Sequence, residues 1–233
     1  MDLTITPTKL HGAVTPPPSK SQAHRLLIAA ALSGGVSTIH NLADSQDIAA
    51  TRRCLAALGA RIDELGENTV QVHGLGNAVV EAGPAPILDC GESGSTLRFL
   101  IPLALLVNGE AAFTGHGRLM ERPLKPYEDL FREKGIAWKW ENGRLTVDGG
   151  RGYGDYVLDP GEYRLPGNVS SQFFTGLLFV LPLLDGDSTL VPTTPLESRD
   201  YLELTRQVQA LAGVRSRWQG EALFIPGGQR YRP

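Results

Sequence analysis

One pattern occurs three times along this chain, and that repetition restricts the fold more than any single motif. An apolar run of helix length, a glycine turn and a short strand with alternating β-branched residues appear as HRLLIAAALSGGVSTIHNL from His24, LRFLIPLALLVNGEAAFTG from Leu97 and QFFTGLLFVLPLLDGDSTLVP from Gln172. The turn glycines Gly35, Gly109 and Gly186 lie 74 and 77 residues apart. A second series, Gly59, Gly135 and Gly213, keeps the same register with separations of 76 and 78 residues. Each member of that series suits a helix C-cap and opens a strand, a polar turn containing Gly and an alternating strand. Amphipathic segments lie between the two series at Asp47–Leu58, Pro123–Lys134 and Ser198–Leu211. Self-similarity at a fixed period marks a repeat architecture. With a leading strand such as Ala78–Glu81 or Tyr156–Leu158, one unit reads βαβαββ.

The expected fold is therefore α/β (α+β), with three βαβαββ repeats around buried inner helices. The first helix of each unit is apolar on nearly every side and belongs inside, whereas the second has one apolar face. Sheets and second helices are expected outside. The units are expected at about 15–77, 78–150 and 151–228, forming one three-fold domain over 15–233, with residues 1–14 as a segment outside the repeats. Glycine (27) and proline (16) are abundant without a Gly-X-Y period, which fits many short elements joined by turns. A hydrophobic share of 42% excludes a disordered chain.

The net charge of −3 provides no global field for nucleic acid or an anionic membrane, so an anion must be held by a local cluster. The most apolar stretch, Phe173–Leu184, contains Gly176 and Pro182 and is too short to cross a bilayer; it reads as a buried helix. The N-terminus shows no signal-peptide pattern, and a soluble cytoplasmic chain is expected. Cys54 and Cys90 form no CxxC pair, and the five histidines have no zinc spacing. Neither a GxSxG elbow nor a Walker loop occurs.

Polar residues collect at the starts of the three inner helices. PPPSKSQAHR places Ser19, Lys20, Ser21 and Arg25 at the first, DCGESGSTLR places Ser93, Gly94, Ser95 and Arg98 at the second, and LPGNVSSQ places Asn168, Ser170, Ser171 and Gln172 at the third. Helix N-termini present free N–H groups and a positive dipole end, which suits anions. Since the units are equivalent, these N-termini should converge on one face. Ser19, Ser93 and Asn168 read equally as N-caps or ligand donors. Lys20 and Arg25 read as a solvated helix start or as a site. Arg98 reads as a buried structural partner or a ligand contact. RLMERPLKP offers Arg118, Arg122 and Lys125, with Pro123 suited to the first helical position and Arg122 to bidentate anion binding. Tyr201 in LESRDYLELT is core, cap packing or a hydroxyl donor. Cys90 is a nucleophile or a buried structural thiol.

PPPSKSQAHR, CGESGSTLR, RLMERPLKP, PGNVSSQF and ESRDYLELT, in that order, resemble the N-terminal half of the 5-enolpyruvylshikimate-3-phosphate synthase family. The resemblance implies one half of the enolpyruvyl transferase inside-out α/β barrel, with the C-terminal domain absent from these 233 residues. It implies a transferase of the shikimate pathway of aromatic amino acid biosynthesis, a glyphosate target that needs neither metal nor cofactor. Its partners would be shikimate 3-phosphate, phosphoenolpyruvate and the missing C-terminal domain, with no nucleic acid and no membrane, and a monomer is expected. The motifs imply that Lys20 is catalytic and touches phosphoenolpyruvate and the target hydroxyl. They imply shikimate 3-phosphate contacts at Lys20, Ser21, Arg25, Ser170, Ser171, Gln172, Ser198 and Tyr201, and phosphoenolpyruvate contacts at Lys20, Gly94, Arg122 and Gln172. The isolated domain is expected to fold without turnover. Glu92 departs from the family pattern, in which many members carry Asn, and its carboxylate would repel phosphoenolpyruvate unless paired or turned away. The alternatives are a UDP-N-acetylglucosamine enolpyruvyl transferase relative and a non-catalytic phosphate-binding domain.

Overall fold

The computed structural model describes residues 11–42, 44–76, 84–150 and 157–233, together with residues 3, 4, 6, 7 and 9. The first repeat folds as α1 (Lys20–Ala31), β1 (Val36–Ile39), α2 (Gln46–Ala57), β2 (Arg61–Gly66) and β3 (Thr69–His73). The second gives β4 (Ile87–Asp89), α3 (Gly94–Asn108), β5 (Glu110–Thr114), α4 (Lys125–Glu133), β6 (Ala137–Glu141) and β7 (Arg144–Asp148). The third gives β8 (Glu162–Leu165), α5 (Ser171–Val180), β9 (Ser188–Pro192), α6 (Arg199–Leu211), β10 (Arg217–Gln219) and β11 (Ala222–Ile225). A 3-10 turn at Leu181–Leu183 continues α5 into the apolar run.

The second and third repeats share one sheet order, β4-β5-β7-β6 and β8-β9-β11-β10. In each, the leading strand runs parallel to the next strand and the rest pair antiparallel. The first sheet is β1-β3-β2, with no leading strand beside β1 among the described residues. Tyr231 instead meets Ser33 in a parallel bridge. The leading strands differ from the sequence expectation. Ala78–Glu81 lies outside the described residues, as does Tyr156, while Val157 and Leu158 are buried in a bend. Val157 fills the space over Gly149, where an added Cβ would overlap it, and β8 begins further along the chain.

The inner helices are buried over most of their length: α5 is buried at every position except Gln172, and α3 is buried at ten positions between Gly94 and Leu105. Helices α3 and α5 pack against each other, whereas α1 packs chiefly between α2 and α6. Two of the second helices thus flank α1 through their buried faces while their opposite faces stay exposed, as expected of outer helices. The reason lies in α1 itself, whose buried face carries Ala23 and Ala29–Ala31 and lets neighbouring helices approach. It reaches α3 through larger side chains, the His24 ring standing edge-on to Phe99 at 6.2 Å. Among the described residues no helix is long and apolar enough to cross a membrane.

The second glycine series has a shared structural cause. Each of α2, α4 and α6 ends in a Schellman turn. The N–H groups of Ala60, Ile136 and Val214 return to the carbonyls of Leu55, Phe131 and Gln209 at 3.1, 2.8 and 2.8 Å. That turn requires a left-handed residue, and Gly59, Gly135 and Gly213 supply φ of 105°, 78° and 81°. The first glycine series is less uniform, for only Gly109 is left-handed, at 77°.

Candidate active site

The N-terminal ends of α1, α3 and α5 are joined by hydrogen bonds between side chains. Gln172, in the first turn of α5, donates from Nε2 to Ser95 Oγ at 2.9 Å and accepts from Arg98 Nη1 at 2.7 Å. Both partners lie in the first turns of α3. Arg98 also donates to the Pro123 carbonyl at 3.2 Å and lies 5.1 Å over the Phe173 ring. From α1, His24 Nδ1 lies 2.7 Å from Thr51 Oγ1, which is 2.7 Å from Thr96 Oγ1 on α3. The three helix starts therefore meet, as the repeat symmetry requires.

Several polar residues are used internally. Ser19 and Ser93 cap α1 and α3, accepting from the N–H groups of Gln22 and Thr96 at 3.3 and 3.2 Å. The cap of α5 is Ser170, which accepts from Gln172 N at 3.2 Å, and not Asn168. Arg25 is buried, and its guanidinium donates to the Ser21 carbonyl at 2.7 Å, Thr205 Oγ1 at 2.8 Å and the Tyr201 carbonyl at 3.1 Å. Burial lowers its pKa to about 10, with Tyr201 opposing. It joins α1 to α6 beneath Ser21 and Tyr201. Lys20 pairs with Asp47 at 2.5 Å. Asp47 was not evident in the sequence, because no motif covers α2 or states which of its residues faces α1.

Other groups have no internal partner. Ser171 is 7% exposed, and its hydroxyl makes no hydrogen bond among the described residues. Ser198 has φ of 58° at the start of α6, yet its hydroxyl does not cap the helix. A non-glycine residue held left-handed marks strain of the kind found at functional sites. Tyr201 is exposed, so it is not core; its ring lies 5.7 Å from the Arg25 guanidinium. Arg122 has no hydrogen-bond acceptor or carboxylate partner among the described residues, whereas Arg118 and Lys125 pair with Glu121 and Asp129. A Cβ added to Gly94 would lie 2.6 Å from Arg122 Nη1 and 3.6 Å from Arg98 Nη1. Two guanidiniums thus converge on the first residue of α3, one free and one bonded only to neutral oxygens. The Arg98 pKa is lowered by burial first and by the Arg122 charge second.

Pro123 does not open α4. The helix starts at Lys125 with Pro126 in its first turn, because Pro123 is held outside by its carbonyl bond to Arg98. Glu92 is turned toward His116, with Oε1 3.7 Å from Nδ1. Cys90 is fully buried, and the neighbouring Cys54 thiol, then burial, raises its pKa far above the thiol range. Such a thiol is a poor nucleophile. No three His, Cys, Asp or Glu residues lie together to hold a metal ion among the described residues.

This arrangement suits an anion: cations and free hydroxyls lie at the N-termini of buried helices, with Asp47 paired to Lys20 and Glu92 turned toward His116. The solved EPSP synthase of Acinetobacter baumannii has the same fold, with a TM-score of 0.77 and 23% identity over 95% of this chain and 48% of that one. The 3-phosphoshikimate 1-carboxyvinyltransferase of Clostridium kluyveri is 46% identical over 99% of this chain and 52% of the relative. The protein of the same name from Clostridioides difficile is 43% identical over 99% and 53%. The chain thus spans about half the length of the curated relatives it matches. The family model for EPSP synthase (3-phosphoshikimate 1-carboxyvinyltransferase) matches residues 5–231. With nearly every residue from the first repeat to the last inside that match, this chain belongs to the EPSP synthase family.

Proposed function

We propose that this chain carries the shikimate 3-phosphate site, and part of the phosphoenolpyruvate site, of an enolpyruvyl transferase. The observation that carries this reading is the convergence of Arg98 and Arg122 on Gly94 at the α3 N-terminus without a carboxylate between them. Unneutralised guanidiniums at a helix start favour a phosphate or carboxylate. Gly94, Arg122, Lys20 and Gln172 would face phosphoenolpyruvate. Ser170, Ser171 and Gln172 would hold the phosphate and ring of shikimate 3-phosphate, with Ser21, Arg25, Ser198 and Tyr201 continuing that pocket.

In the reaction the 5-hydroxyl oxygen of shikimate 3-phosphate bonds to C2 of phosphoenolpyruvate while a proton goes to C3. Loss of phosphate and of a C3 proton then restores the double bond. Lys20 would stabilise the reacting oxygen, with Asp47 holding its ammonium in place. Proton transfer at carbon requires a positioned acid and base, and we assign these to the half of its relatives' length that this chain does not span. This chain would bind without turnover. The repeats would form one domain over 15–233, with units at about 15–77, 78–150 and 151–228 and residues 1–14 apart from them. The protein would be a cytoplasmic monomer that engages neither nucleic acid nor membrane.

Calorimetric titration of the chain with shikimate 3-phosphate tests the reading. Saturable binding is expected, weakened about 10- to 100-fold by Ser171→Ala, the loss of one hydrogen bond to a charged group. The fold should be unaffected, since that hydroxyl has no protein partner. A folded chain that ignores millimolar ligand, or a variant that binds equally well, contradicts the reading.

A further inference from the structure

Thr194 lies just after β9, on the loop that leads to Ser198 and α6, and it belongs to none of the motifs above. Its hydroxyl makes three hydrogen bonds to the turn that precedes α5. It accepts from the backbone N–H of Gly167 at 2.9 Å and of Asn168 at 3.1 Å, and lies 2.9 Å from Asn168 Oδ1. A hydroxyl has two lone pairs and one proton. The two N–H groups occupy the lone pairs, so the third contact must be Thr194 donating to the Asn168 carbonyl oxygen. One side chain thereby fixes two successive backbone groups and one side-chain orientation.

The two loops also meet backbone to backbone. Thr193 N donates to the Leu165 carbonyl at 2.8 Å and Glu197 N to the Gly167 carbonyl at 3.0 Å. A Cβ on Gly167 would stand 2.6 Å from the Thr194 carbonyl oxygen and 2.9 Å from that of Pro195, so only glycine permits this approach. Downstream of Gly167 lie Ser170, Ser171 and Gln172; downstream of Thr194 lie Ser198 and Tyr201.

We propose that Thr194 is a positioning residue: it locks the turn bearing Ser170, Ser171 and Gln172 to the loop bearing Ser198 and Tyr201, so that both present their hydroxyls to one phosphorylated ligand. This rests on the shikimate 3-phosphate reading above and adds a residue that touches no substrate. Thr194→Val removes all three hydrogen bonds at nearly constant volume, while Thr194→Ser keeps them.

The test is calorimetric titration of the wild type, Thr194→Val, Thr194→Ser and Ser171→Ala with shikimate 3-phosphate, joined to amide hydrogen exchange by NMR. Thr194→Val is expected to bind about tenfold more weakly or worse, and Thr194→Ser within about threefold of the wild type. In Thr194→Val the Gly167 and Asn168 amides should exchange about tenfold faster while Leu177 and Leu178 keep their protection, which separates loosening of the turn from loss of the fold. Val binding like the wild type, or Ser binding as weakly as Val, overturns the positioning role alone. A wild type that does not bind, or that binds no better than Ser171→Ala, overturns the underlying reading of the site and the role of Thr194 with it.

Discussion

His24 shows how a single residue can link the site to solution conditions. It is buried at the start of α1, bonded through Nδ1 to Thr51, while its Nε2 is buried without a partner. Burial lowers its pKa from 6.5 to about 4, against an opposing pull from Asp47 and with smaller contributions from Arg25 and Lys20. The folded protein therefore holds a neutral imidazole where the unfolded chain binds a proton. Between pH 6.5 and about 4 the unfolded state carries more protons, so stability falls as the pH falls through that window. The full effect is about 3 kcal/mol. Urea denaturation at pH 7, 5.5 and 4.5 should show this fall in the wild type and a flatter profile in His24→Gln. Parallel profiles would mean that the histidine is not the group responsible. Nothing in the apolar run from His24 suggested this role. The sequence shows a histidine on a buried helix, but Thr51 and Thr96 come from two other elements.

At the scale of elements, most of the fold was readable where a local rule sets the structure. The left-handed glycines that end α2, α4 and α6 were legible because a Schellman turn has few solutions. Gly135 is the clean test, since its φ is 78° and an added Cβ would meet nothing within 4 Å. Gly135→Ala should therefore lose about 1–2 kcal/mol from backbone strain alone, and Gly135→Asn less. Chemical denaturation measures both, and shikimate 3-phosphate affinity should not change. If alanine costs nothing, the turn is not what ends α4. Elements set by distant packing were harder to read. The leading strands β4 and β8 are only three and four residues long, and parallel pairing with β5 and β9 defines them more than their own residues do. The site followed the same division. The motifs marked the candidate residues at the helix starts, but not the contacts that Asp47 makes with Lys20 and Thr194 with the turn before α5, because the docking of one loop or helix on another fixes them.

Across the whole molecule, three similar units must also close on one another, and the chain uses its last residues for this. Tyr231 is buried among third-unit groups: its hydroxyl donates to the Phe179 carbonyl at 2.9 Å and accepts from Gln209 Nε2 at 2.7 Å. Its backbone bridges Ser33 of the first unit, and Pro233 lies close over Gly35, where a Cβ would come within 2.8 Å of its ring. The first and third units are thus fastened together beside β1, at the edge where the other two sheets carry their parallel leading strand. Tyr231→Phe keeps the ring but leaves the Phe179 carbonyl without its side-chain donor and one Gln209 N–H without an acceptor, a loss of about 1–3 kcal/mol. The destabilisation should not stay in the third unit. Amides around Ser33–Gly35 should exchange faster along with those of α6, while β6 and β7, remote from the fastening, keep their protection. Acceleration confined to α6 would mean that the first unit is held by the packing of α1 on α6 and of α2 on α3 alone. Acceleration at both places would mean that a phenol docked into the third unit keeps the first unit, with Lys20 and Ser21, in register with the rest of the candidate site.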